Sequence, residues 1–71
     1  MNEIKIGDVV RFAPEWCSPG ERKYIHVVLE KLLNPVTGKE TRFLIETLNT
    51  GLFIKPRTVV EGYMIELYEE E

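Results

Sequence analysis

Apolar and polar positions alternate in short runs along this chain, and clusters of glycine, proline and asparagine cut the runs apart. The first run, Ile4-Lys5-Ile6-Gly7-Asp8-Val9-Val10-Arg11-Phe12, is interrupted by Gly7-Asp8. Val10 and Phe12 alternate there with Val9 and Arg11, which predicts a tight turn and then a strand near 8–13. The stretch from Ala13 to Glu21 carries two prolines and a glycine. Proline removes a backbone donor and blocks a helix interior, so this stretch reads as a long excursion loop.

The run from Arg22 to Leu33 gives the strongest strand signal. Ile25, Val27, Leu29 and Leu33 share one parity, broken by Lys31, while Tyr24, His26, Val28 and Glu30 share the other. With period two, the first set is expected to face the core and the second to face solvent or a partner. Asn34-Pro35-Val36-Thr37-Gly38 then supplies a turn, because proline presets φ and glycine accepts positive φ. A third strand is expected over 39–48, with Thr41, Phe43, Ile45 and Thr47 inward and Arg42, Leu44, Glu46 and Leu48 outward. Asn49-Thr50-Gly51 turns the chain into a short fourth strand, Leu52 to Lys55, stopped by Pro56.

The C-terminal segment carries two patterns. Val59, Val60, Tyr63, Met64, Leu67 and Tyr68 recur at helical spacing, and Thr58 with Glu61 fits a capping box. Gly62 and the alternation of Tyr63, Ile65 and Leu67 with Met64, Glu66 and Tyr68 argue for a strand. The favoured reading is one helical turn at 57–61 and a last strand at 63–68 that covers the edge of the first. The fold expected is therefore all-β: a small, partly open barrel of about five antiparallel strands with a short helical turn before the last. The alternative is an antiparallel sheet with a C-terminal helix.

The order of strand, long loop, two hairpins, helical turn and final strand resembles an SH3-like barrel. Ile6-Gly7-Asp8-Val9-Val10 is similar to the opening strand of KOW-type and Tudor-type modules. The resemblance implies a binding fold, used elsewhere for peptides, methylated side chains, RNA and larger assemblies, and it does not fix a function. It also implies that the long first loop overhangs the sheet as one wall of a groove, which Trp16, Tyr24, Tyr63 and Tyr68 would line. The chain departs from these modules in lacking the KOW motif's basic character and a four-sided aromatic cage.

Length and charge narrow this further. With 71 residues there is room for one domain, 1–71, and a modest core. A core of this size rarely contributes more than about 3–5 kcal/mol net. Cys17 is the only cysteine, so no disulfide staples the chain, and a reducing compartment is expected. Met1-Asn2-Glu3-Ile4-Lys5 has no basic region leading into an apolar one, and no apolar run approaches the roughly 20 residues of a membrane span. The expectation is a soluble, cytoplasmic protein. Glu69-Glu70-Glu71 reads as a solvated chain end.

No catalytic constellation, metal-ligand spacing or nucleotide loop occurs. His26 is the single histidine, and a zinc site needs three or four ligands. Cys17 and His26 suggest no third orienting group for nucleophilic catalysis. No enzyme activity, cofactor or metal is therefore expected. Trp16, in a proline-bounded loop, is either a lid on the small core or an anchor for a partner. The expected function is a non-catalytic binding or assembly module for a protein partner or a second copy. Trp16 and Tyr24 are its anchors, supported by outward His26, Val28 and Leu44. The alternative is a nucleic-acid-binding barrel using Arg22, Lys23, Arg42, Lys55 and Arg57. The formal net charge of -3 disfavours that alternative.

Overall fold

The computed structural model of the chain describes residues 4–68, without the side chain of Glu21. The acidic run Glu69-Glu70-Glu71 and the residues Met1, Asn2 and Glu3 lie outside that range. Five antiparallel strands form one unclosed sheet: β1 (Val9–Phe12), β2 (His26–Leu32), β3 (Arg42–Thr47), β4 (Arg57–Glu61) and β5 (Ile65–Leu67). Their order across the sheet is β4-β3-β2-β1-β5. Consecutive strands thus pair from β1 to β4, and β5 returns to the free side of β1. The expected all-β fold is what forms, and no helix among the described residues is long and apolar enough to cross a membrane.

The core explains the shape. Val10, Val28, Phe43, Ile45, Val60 and Ile65 are buried, and each strand supplies at least one of them. They all project from one face, so the sheet must curl around them. Ile4, Phe12, Met64 and Leu67 pack at the margin. Between β4 and β5 the chain makes a 3-10 turn, Gly62–Met64. A Cβ on Gly62 would stand 3.1 Å from Phe43 Cε2 and 3.2 Å from the Thr41 carbonyl oxygen. Both contacts are tighter than ordinary packing, so glycine suits a turn that lies this close to the core ring. The Gly62 N–H donates to that same carbonyl at 2.8 Å, and Ala13 N–H donates to the Met64 carbonyl at 2.9 Å. These two bonds tie the turn to the start of β3 and to the end of β1.

Several local expectations are realised. The excursion loop holds two short 3-10 turns, Pro14–Trp16 and Pro19–Glu21, each opened by its proline. The Asn34 side chain accepts from Val36 N–H at 2.8 Å and Thr37 N–H at 3.3 Å, and Gly38 takes φ 72°. Phe43 and Ile45 face inward, as the alternation of β3 predicts.

Three expectations are corrected. First, the faces of β2 are exchanged in its first half: His26 and Val28 are buried, while Leu33 is 61% exposed. A bulge between Val28 and Glu30 breaks the period, so one parity cannot hold along the whole run. Val28 lies opposite Ile45 in the core and does not face a partner. Second, the segment 52–55 is an exposed loop, and the fourth strand is Arg57–Glu61, where a helical turn was expected. Pro56 precedes the strand instead of ending one, and its carbonyl accepts from Thr47 N–H. Third, the helical turn comes at Gly62–Met64, so the last strand shortens to Ile65–Leu67.

These assignments separate two leucine-to-alanine-type changes that the sequence alone would rank alike. Ile45→Ala, which opens a cavity at the fully buried centre, should cost about 2–5 kcal/mol. Leu33→Ala should change stability by no more than about 0.5 kcal/mol. Urea denaturation of both variants checks the pair.

Candidate functional site

Thr47 faces the inner side at the end of β3, and an inward hydroxyl requires a polar partner. That partner is His26 at the start of β2, directly opposite in the register, with Nδ1 2.9 Å from Thr47 Oγ1. The Phe12 ring meets the imidazole edge to face, centroids 5.2 Å apart. Only 5% of His26 is exposed, and this burial pushes its pKa below the ordinary value of 6.5. Phe12, Tyr24, His26, Thr47 and Thr50 line a cleft of about 300 Å³. Lys23 Nζ lies 5.3 Å from the centre of the Tyr24 ring that forms one wall.

Asn49 holds the two loops at this mouth together. Its Oδ1 accepts from Ile25 N–H at 2.9 Å, and its Nδ2 donates to the Lys23 carbonyl at 2.6 Å. Leu48 N–H adds a bond to the Ile25 carbonyl. The excursion loop and the β3–β4 loop are therefore fastened at the same place.

Two apolar surfaces stand apart from the core. Trp16 is 48% exposed and Tyr63 67%, and their rings touch at a centroid distance of 5.5 Å. The pair joins the excursion loop to the 3-10 turn before β5. The second surface is the β3–β4 loop, where Leu52, Phe53 and Ile54 are all exposed. Phe53 and Ile54 share an open groove of about 560 Å³ with Glu46, Lys55, Pro56 and Arg57.

Of the residues expected to bind a partner, Trp16 is on the surface and Tyr24 and His26 share the cleft. Leu44 lies half-buried on the outer face of the sheet, and Val28 is in the core. Tyr63 joins Trp16, whereas Tyr68 bonds through its N–H to the Val9 carbonyl at the other end of β1. The four aromatics expected to line one groove are thus divided among three places. The reading of residues missed Phe12, Thr47 and Thr50 as cleft residues and Phe53 and Ile54 as exposed ones. An inward threonine opposite a histidine was the available signal for the cleft.

The basic residues of the nucleic-acid alternative are distributed differently from a polyanion surface. Arg42 Nε lies 2.6 Å from Glu61 Oε1, and Arg57 Nε lies 3.6 Å from Glu46 Oε1. Each is a cross-strand pair between directly opposed residues. Arg11 and Glu66 make a third such pair at 3.3 Å. Arg22 and Lys23 are exposed on the excursion loop, and Lys55 on the β3–β4 loop. Cys17 Sγ donates to the Ser18 carbonyl, and His26 Nδ1 is engaged by Thr47. Among the described residues no three His, Cys, Asp or Glu side chains are grouped to hold a metal ion.

Comparison of the chain with protein-family models, with curated proteins and with solved structures gave no match.

Burial of a neutral imidazole makes stability depend on pH. Because the folded pKa is lowered, the unfolded chain binds the proton more readily. This contribution is fully present above about pH 6.5 and is lost as pH falls through that value towards the folded pKa. The urea midpoint should therefore drop between about pH 7.5 and pH 5.5, and His26→Gln should flatten the change. Asn49→Ala should cost about 1–2 kcal/mol for its two hydrogen bonds and speed amide exchange at Ile25. A midpoint that rises on acidification, or unchanged exchange at Ile25, would contradict these assignments.

Proposed function

We propose that this chain is a non-catalytic binding module of SH3-like barrel topology, and that its partner is a protein or a second copy of itself. The observation that carries the reading is the Trp16–Tyr63 pair. Two large aromatic side chains touch each other, lie outside the core cluster and remain about half or more exposed. Aromatic side chains of this kind offer large contact area at low entropic cost and dominate binding hot spots. The strand order, with a 3-10 turn leading into a last strand beside the first, is consistent with the SH3-like connectivity. Exposed Leu52, Phe53 and Ile54 extend the apolar surface available to a partner.

The nucleic-acid alternative draws less support. Arg42 and Arg57 are engaged by glutamates across the strand, and a polyanion would have to displace or repel those carboxylates. Catalysis by Cys17 draws none, since the hydrogen bond its sulfur makes among the described residues is to the Ser18 carbonyl and not to a base.

Affinity capture from native extract tests the reading, with nuclease treatment and with washes at low and high salt. The expected result is a defined protein retained through both treatments and lost with Trp16→Ala. That variant should fold with a stability change within about 1 kcal/mol, because it removes a surface contact and leaves the core whole. Material released by nuclease or by salt would instead favour nucleic acid. Unfolding of Trp16→Ala would make the tryptophan a structural lid.

A further inference from the structure

Of the apolar surfaces, clefts and buried polar groups, the cleft at His26 carries a specific chemistry. His26 makes one side-chain hydrogen bond, through Nδ1 to Thr47. No buried side-chain nitrogen or oxygen among the described residues lacks a partner. The other ring nitrogen, Nε2, therefore reaches the cleft that the residue lines. A histidine that is 5% exposed thus keeps one ring nitrogen accessible at a solvent-open cleft.

We propose that this cleft binds a carboxylate carried on a compact apolar body. The groups around His26 favour that choice. From β1 come Val10, opposite in the register, and Phe12, both uncharged. From β3 comes Thr47, while its neighbour Glu46 points to the other face and pairs with Arg57. From the loops come Tyr24, with Lys23 against its ring, and Thr50. Among the described residues no acidic side chain lines the cleft, and the Lys23 ammonium held against its wall is positive.

The hydrogen-bond inventory points the same way. When the imidazole is protonated, Nδ1–H donates to Thr47 Oγ1, which frees the Thr47 O–H to donate into the cleft. Nε2–H becomes a second donor there. Thr50 Oγ1 accepts from Leu52 N–H at 3.3 Å, leaving its own O–H as a third. A carboxylate is acceptor-only and supplies the opposite charge that favours the imidazolium. The Phe12 and Tyr24 rings that line the cleft suit an apolar carrier. Binding should then take up a proton at His26.

The site rests on the binding-module reading only for the source of the carboxylate, which is either a partner's acidic chain end or a free small acid. Titration of the intact chain, followed by the ring resonances of His26, tests the site without reference to Trp16 or to any partner. The probes are benzoate as a small acid, N-acetylphenylalanine as a chain end, and N-acetylphenylalaninamide as the neutral control. The expected result is saturable shifts with the carboxylates at millimolar concentration and at least tenfold weaker binding of the amide. Affinity should tighten as pH falls from about 8 to 6, by at most tenfold per pH unit. His26→Gln should remove the pH dependence, and Thr50→Val should weaken the acids while leaving the His26 ring resonances of the free protein in place. Tighter binding of N-acetylphenylalanine than of benzoate assigns the site to a partner's chain end, and the reverse assigns it to a small acid. Equal binding of acid and amide, affinity indifferent to pH, or no shift with any probe would overturn the proposal. A failed titration beside a successful Trp16-dependent capture would remove the carboxylate site and leave the binding module standing.

Discussion

One face of one five-stranded sheet has to cover six buried side chains drawn from every strand, and the rest of the structure follows from that constraint. A flat sheet would leave the inner faces of β4 and β5 in water. Curling brings Val60 and Ile65 over Val10, Val28 and Ile45, and it requires a tight connection between the two edge strands. The turn at Gly62–Met64 provides it, passing so near Phe43 that a side chain at Gly62 would crowd the ring. In so small a domain little apolar surface remains for covering anything else. Exposed Trp16, Tyr63, Phe53 and Ile54 lie outside this core.

The same curl gives polar residues their places. On the outer face, Arg11, Arg42 and Arg57 each stand opposite a glutamate on the neighbouring strand. Exposed pairs of this kind add only about 0–1 kcal/mol each. Their larger effect is to balance charge locally on the outer face. On the inner face, the buried ionisable group among the described residues is His26, satisfied on one side by Thr47 and open on the other to a cleft. Charge is thus balanced pairwise outside, whereas the described lining of the cleft has a nearby cation and no acid.

Much of the fold was legible in the sequence, because turns and alternation act locally. The Asn34–Gly38 turn, the inward Phe43 and Ile45, and the proline-broken excursion loop each depend on a few adjacent residues. The faces of β2 were not legible, since a bulge at Leu29 resets the alternation and depends on pairing with β3. Tyr24, His26 and Glu30 also made their parity look polar, whereas tertiary pairing with Thr47 permits His26 to be buried. Leu52-Phe53-Ile54 has strand-forming residues, but the register of Glu46 with Arg57 leaves it in the loop. At the candidate site, Trp16 and Tyr24 could be singled out by residue type. The cleft could not, because it assembles Phe12, His26 and Thr47 from three strands.

Under the proposed reading, half-exposed Trp16 is covered when a partner binds. Trp16 is the only tryptophan in the chain, so fluorescence excited at the red edge of tryptophan absorption, beyond the reach of the tyrosines, reports on it alone. The most direct measurement is acrylamide quenching of that fluorescence in the dilute free protein, repeated with the captured partner or at high protein concentration. The account predicts red-shifted emission and efficient quenching in the free chain, with a blue shift and protection on association. Emission that is already blue and shielded in the dilute native protein would contradict it.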